Sequence, residues 1–292
     1  MVHKKTWKIV DIINTTTRYF TEKKIENPRL NAEMLLGKVL NMSRVDLYVA
    51  FDRPLSEQEI ARYRELVRLR ANRQPLQYLL GETEFMGLPF DVTPAVLIPR
   101  PETEILVQAV LDLKAEIKSE QPVLVDVGTG SGCVAVSVAK LWPQARIYAT
   151  DISREALAVA EKNAERNQVA QRIAFCTHDI FRPWPQELPD KVDVLISNPP
   201  YIGKEELSAL EPEVAQFEPR IALTDEQDGL RFYRRFFQLA FESGAPECGY
   251  LALEMSGVQP QKIVALAKKR HTGDIRVIND LNQIPRVLII KV

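Results

Sequence analysis

Apolar residues recur at helical spacing from Lys5 to about Arg73, and no two-residue alternation interrupts that stretch. The sharpest element begins at Ser56, which forms a capping box with Glu59. It continues with Ile60, Tyr63, Leu66, Val67 and Ala71 on one face, and Pro75 marks its far side. Arg62, Arg64, Arg68 and Arg70 fall on the opposite face, which reads as a solvated surface, with partner docking as the alternative. Between Gly81 and Pro94 the text becomes GETEFMGLPFDVTP, whose glycine and aromatic punctuation predicts a short hairpin linking two domains.

Beyond the hairpin, ETEILVQAVLDLKAEIK reads as an amphipathic helix. Short apolar runs then alternate with helical segments: PVLVDVG, ARIYATD, RIAFCTHD, KVDVLISN and GYLALEM. Strand alternating with helix predicts parallel strands, right-handed crossovers and helices on both faces, which is the doubly wound α/β class. RVLIIKV is a last strand, paired with GDIRVIN just upstream. The expected organisation is a helical domain over residues 1–80, a hairpin linker over 81–95 and an α/β domain over 96–292.

Composition changes this picture little. A hydrophobic content of 46% and a charged content of 26% suit a water-soluble globular chain, and no apolar run is long enough to cross a bilayer. Asp11 interrupts the apolar patch near the start, so a secretory signal is not expected and the cytoplasm is. Cys133, Cys176 and Cys248 are odd in number and far apart, which reads as reduced core thiols; no metal site is expected. A net charge of −1 speaks against a nucleic acid backbone as the main partner.

Candidate chemistry gathers at the strand ends. DVGTGSG, Asp126 to Gly132, follows the first run, and Gly128, Gly130 and Gly132 let a ligand approach the backbone. Such a loop alone fits a nicotinamide site, a nucleoside site or a tight turn. A dinucleotide fingerprint would place its third glycine at Cys133, and no P-loop lysine is present, so no pyrophosphate cradle is evident. Asp151 ends the second run and suits a ribose diol, with capping of the next turn through Ser153 as the plainer alternative. Asp179 ends the third and suits an exocyclic amine of adenine, with Ile180 or Phe181 against the ring. Adenosine without a pyrophosphate clamp points to S-adenosylmethionine.

The fourth run ends in SNPPY. Pro199 and Pro200 stiffen that turn, Asn198 offers a side-chain carbonyl, Pro199 a backbone carbonyl, and Tyr201 a flat ring. The set suits a planar NH₂ group such as an amide or aromatic amine, held by two acceptors.

The run LIPRPETE, Leu97 to Glu104, followed by DVGTGSG, ATD, HD and NPPY, resembles the peptide chain release factor glutamine N5-methyltransferases along almost the whole chain. PLQYLLGETEFMGLPF upstream, with EPRIAL and DGL downstream, is similar to the same family. The resemblance implies a seven-stranded class I methyltransferase sheet, a small N-terminal helical domain for substrate recognition and a connecting hairpin. It implies methylation of the glutamine amide in the Gly-Gly-Gln loop of release factors, with S-adenosylhomocysteine as by-product, by a cytoplasmic monomer acting in translation termination.

By motif position, Gly128, Thr129, Gly130, Ser131 and Gly132 would line the methionine end of the cofactor, Asp151 the ribose, and Asp179 with Ile180 the adenine. Asn198 would face both cofactor and substrate; with Pro199, Pro200 and Tyr201 it would hold the amide, and Asn198, Pro199 and Tyr201 would be catalytic. Arg100, Glu102 and Thr103 would lie over the pocket, with Arg100 alternatively joining the domains by a salt bridge. Ile180 departs from the aromatic residue often found there, which weakens stacking. The rival substrates are an exocyclic amine of adenine or guanine in nucleic acid and a ribosomal-protein glutamine; the intact PRPETE run favours release factors.

Overall fold

The computed structural model describes residues 6–242 and 246–292. The chain forms two compact units, Met1–Gly81 with Glu211–Phe217, and Glu82–Leu210 with Glu218–Val292. Residues 211–217 therefore belong by contact to the helical unit although they lie, in sequence, within the expected α/β domain.

The helical unit holds helices Ile9–Glu22, Pro28–Leu40, Arg44–Val49, Glu57–Ala71 and Leu76–Leu80. Its core gathers Ile9, Ile12, Phe20, Leu35, Leu36 and Tyr63. The fourth helix starts at the expected box, with Ser56 N donating to Glu59 Oε2 at 2.8 Å and Glu59 N donating to Ser56 Oγ at 3.3 Å. One residue of its expected polar face is buried. Arg70 is 6% exposed; its Nε donates to Asn31 Oδ1 at 2.7 Å and its guanidinium pairs with Glu213 at 3.1 Å. Helical periodicity placed this arginine outward, but a carboxylate brought in from residues 211–217 supplies the counter-charge that lets it enter.

In the larger unit, strands β1 (Glu82–Phe85) and β2 (Leu88–Asp91) form an antiparallel hairpin. The hairpin is packed into this unit rather than serving as a free linker. Phe85 and Phe90 enter its core, and Asn163 binds Asp91 on both sides, accepting from its N–H at 2.7 Å and donating to its carbonyl at 3.0 Å.

Seven further strands follow: β3 (Val123–Val127), β4 (Arg146–Asp151), β5 (Ile173–Thr177), β6 (Lys191–Ser197), β7 (Glu247–Glu254), β8 (Ile275–Asn279) and β9 (Pro285–Lys291). They form one sheet in the order β5-β4-β3-β6-β7-β9-β8. β3 to β7 run parallel, β9 pairs antiparallel with β7, and β8 pairs antiparallel with β9 at the edge. The central strands are apolar on both faces because each face is covered: two core clusters fill the two layers, one around Leu124, Val194 and Ala252, the other around Val125, Leu195 and Leu251. The chain winds outward from β3 through β4 to β5 and then returns to the other side of β3 as β6. The order reverses between β3 and β6, and ligands of open α/β sheets bind beyond strand ends at such a reversal.

Candidate active site

A cavity of about 480 Å³ opens at the carboxyl ends of β3, β4, β5 and β6. Val127 ends β3, and the next two N–H groups, of Gly128 and Thr129, both donate to Thr150 O, at 2.8 and 2.9 Å. Gly128 and Gly130 take left-handed φ values of 74° and 56°. A Cβ at Gly128 would meet nothing within 4 Å, so the backbone here borders open space that a ligand can use. Gly132 serves a different end. It is not on the cavity wall, and its Cβ would stand 3.0 Å from that of Ala160, so this glycine permits the close approach of helix Arg154–Arg166. Expected among the cofactor contacts, Gly132 has this packing contact as its observed environment.

Thr129 and Ser131 line the cavity, but the Thr129 hydroxyl is already donated to Asp126 Oδ2 at 2.7 Å. Asp126 was not singled out from sequence, where it reads as the last polar residue of a core strand. It is 2% exposed and lines the cavity. Burial pushes its carboxyl up to about 7, against the Thr129 bond and the Ala135 N–H, which favour the charged form.

Asp151 caps the next turn, the plainer of its two expected alternatives, and also borders the cavity. Oδ1 accepts from Ser153 N and Oδ2 from Gly130 N, each at 2.9 Å, while the carboxylate also faces the cavity. Each carboxylate oxygen has further acceptor capacity, so turn capping leaves room for a diol. Burial raises its pKa, and backbone donors oppose the shift. Asp179 Oδ1 accepts from Phe181 N at 2.9 Å, and Ile180 is buried; both line the cavity. Phe181 lines it too, with the Arg231 guanidinium 4.0 Å from its ring centre, so the aromatic surface missing at position 180 is present one residue later.

The fourth corner is the turn after β6. Ser197 Oγ donates to Val127 O at 2.7 Å, which ties this strand end to the end of β3. Asn198 and Pro200 line the cavity; Pro199 is buried, and neither Pro199 nor Tyr201 lies on the wall. Asn198 Nδ2 donates to Thr103 Oγ1 at 3.1 Å, and among the described residues Asn198 Oδ1 and the carbonyl of Pro199 accept no hydrogen bond. The Tyr201 hydroxyl sits 3.5 Å from Glu254 Oε1.

Arg100 lines the cavity and donates to Glu218 Oε1 at 2.5 Å. Both residues belong to the larger unit, so the pair does not join the domains. Glu102 is off the wall and stands 4.0 Å from the Arg286 guanidinium. Glu218, the first residue of EPRIAL, and Glu254, near the end of GYLALEM, are both buried acids to which sequence reasoning gave no role.

These walls fit an adenosyl group. Open space above Gly128, a diol-competent carboxylate at Asp151, and an acid beside an aliphatic and an aromatic side chain at 179–181 are its complementary parts. Among the described residues, no His, Cys, Asp and Glu cluster could hold a metal ion, and no helix is long and apolar enough to cross a membrane.

Comparison with known proteins agrees. The chain matches the PrmC N-terminal domain family over residues 11–81 and the Methyltransferase small domain family over residues 101–215. It is 40% identical over 282 residues to the release factor glutamine methyltransferase of Geobacter sulfurreducens, covering 97% of this chain and 96% of that one. It is 37% identical over 292 residues to that of Chlorobaculum tepidum, covering 99% and 98%. Among solved structures, the human METTL16 catalytic domain in complex with a MAT2A 3'UTR hairpin superposes with a TM-score of 0.57 at 14% identity, covering 94% of this chain and 90% of that one, which is a likeness of fold. Site geometry, family matches and near full-length similarity converge: this chain belongs to the release factor glutamine methyltransferase family.

Proposed function

We infer that this protein transfers a methyl group from S-adenosylmethionine to the side-chain amide nitrogen of the glutamine in the Gly-Gly-Gln loop of peptide chain release factors. The observation that carries the reading is Asn198, which stands at the cavity with its amide nitrogen committed to Thr103 and its carbonyl oxygen free.

An amide nitrogen is a poor nucleophile because its lone pair is delocalised into the carbonyl. The Asn198 carbonyl and the carbonyl of Pro199 are acceptors that can hold the two amide hydrogens and aim the nitrogen. Pro199 and Pro200 fix the backbone that presents them, so little ordering remains to be done when substrate arrives. The cofactor supplies a sulfonium-borne methyl group that is already activated, so the chain's contribution is alignment and exclusion of water rather than a strong base. The product nitrogen then sheds its extra proton. Gly128, Gly130, Asp151 and Asp179 with Ile180 would hold the cofactor.

The test uses isotopically labelled cofactor with a release factor in one arm and duplex DNA in the other, and mass spectrometry to locate the label. Label on the side-chain amide nitrogen of the Gly-Gly-Gln glutamine is the expected result. Label on DNA, or on another residue of the release factor, would overturn it.

A further inference from the structure

Glu254 ends β7, whose residue Leu253 pairs in register with Ser197, immediately before Asn198. The side chain is buried, and among the described residues its Oε2 has no hydrogen-bond partner. Among the described residues no cation pairs with it. The nearest guanidinium, of Arg286, is engaged by Asp280 at 2.9 Å and faces Glu102 at 4.0 Å. A buried, unpaired carboxyl opposes folding, so packing gives no reason for an acid here.

Its surroundings do give one. The Thr103 hydroxyl is near enough to this carboxyl to favour its charged form, and the Tyr201 hydroxyl lies 3.5 Å from Oε1. The backbone of Glu254 is itself held, because Tyr233 Oη donates to its carbonyl at 2.8 Å. A threonine hydroxyl has one proton. When that proton points to Glu254, a lone pair is left for Asn198 Nδ2, which donates to Thr103 Oγ1 at 3.1 Å. The Asn198 carboxamide is then set with its nitrogen toward Thr103 and its oxygen toward the cavity.

Resting on the glutamine methyltransferase reading above, we propose that Glu254 is a positioning residue for methyl transfer, orienting Thr103 and Tyr201 and, through Thr103, fixing which way the Asn198 carboxamide faces. The ionised carboxyl does this best, because a protonated one carries a hydrogen of its own and no longer commands the Thr103 proton. The ionisable groups facing it are Glu102 from helix Pro101–Asp112, Arg286 from β9, Tyr201 after β6, Tyr233 from helix Arg231–Phe241 and Cys133 at the start of helix Cys133–Leu141. Burial outweighs the Thr103 and Tyr201 donors and raises the Glu254 pKa to about 7.

The test is kcat against pH from roughly 6 to 8.5, with release factor and cofactor saturating, for wild type, Glu254→Gln, Thr103→Val and the double variant. Saturating cofactor separates this group from Asp126, which also titrates near 7 but lies on the cofactor cavity wall. Wild-type kcat is expected to rise with pH through about 7. Glu254→Gln should abolish that rise and lower the plateau roughly 10- to 100-fold, as loss of a charge-assisted hydrogen bond does. Cofactor Kd should stay within about twofold, since Glu254 is off the wall. Thr103→Val should reproduce the loss, and the double variant should lose no more than either single one. A Glu254→Gln enzyme with wild-type kcat and an intact pH rise, or losses that multiply in the double variant, would overturn the proposal. A wild-type enzyme that methylates no glutamine at any pH would overturn the functional reading along with it.

Discussion

The glycine loop after β3 and the Asn-Pro-Pro-Tyr turn after β6 end neighbouring strands, and one hydrogen bond of 2.7 Å ties their bases together. They meet the same cavity by opposite means. The loop removes side chains so that a ligand can reach the backbone, whereas the turn adds two rings so that the backbone cannot move. The loop is hydrogen-bonded to Thr150 and Asp151 of the neighbouring strand; among the described residues the turn keeps the Asn198 side-chain oxygen unspent at the cavity. The proposed function therefore assigns cofactor affinity to the first region and turnover to the second.

The strongest way to break that division is inside the loop. Gly132 is expected to matter for stability alone, because its φ of 79° is strained for any other residue and a Cβ would press on Ala160 at 3.0 Å. Gly132→Val should cost about 2–5 kcal/mol in denaturant unfolding, combining backbone strain with overpacking. A Gly132→Val protein of wild-type stability would show that the packing role is wrongly assigned.

A smaller effect is expected at Asp151. Asp151→Ala should weaken cofactor binding roughly 10- to 150-fold, as loss of hydrogen bonds to a charged group of about 1.5–3 kcal/mol implies. At saturating cofactor, turnover should fall far less. Calorimetry checks the first part and steady-state kinetics the second; an unchanged Kd would remove Asp151 from the site.

The smallest effect is a pH slope. Asp126 titrates at about 7 in the folded protein, above its ordinary value. Between the ordinary value and about 7 the folded chain holds a proton that the unfolded chain has released, so stability declines as pH rises through that window and the penalty is complete above it. Glu254 contributes in the same sense. Asp126→Asn should flatten the decline in melting temperature between about pH 4.5 and 7.5 without eliminating it. A slope identical to wild type would mean that Asp126 ionises normally.

Much of this was legible in the chain. Alternating apolar runs show β3 to β7, and RVLIIKV with GDIRVIN shows the final hairpin, because each buried strand must be apolar whatever lies around it. Motifs locate the Gly128–Gly130 edge, Asp151, Asp179 and Asn198 because their backbone demands or strand-end positions are local. What stayed hidden depends on tertiary partners. Gly132 reads as one more loop glycine until Ala160 is seen beside it, and Arg70 reads as solvated until Glu213 arrives from 143 residues away. Asp126, Glu218 and Glu254 look like strand or loop punctuation; only burial without a matching cation sets Asp126 and Glu254 apart. The contact of the Tyr201 hydroxyl with buried Glu254 is likewise invisible in the motif.

The division between binding and turnover is tested most directly at Asn198. Single-turnover methyl transfer to a release factor, measured beside cofactor binding by calorimetry, should show Asn198→Ala slowed by about 10²–10³ or more, the scale of losing one preorganised group at a reacting centre. Its cofactor Kd should remain within about threefold of wild type, less than 1 kcal/mol. Wild-type transfer by Asn198→Ala, or a loss accounted for entirely by weaker cofactor binding, would contradict the account.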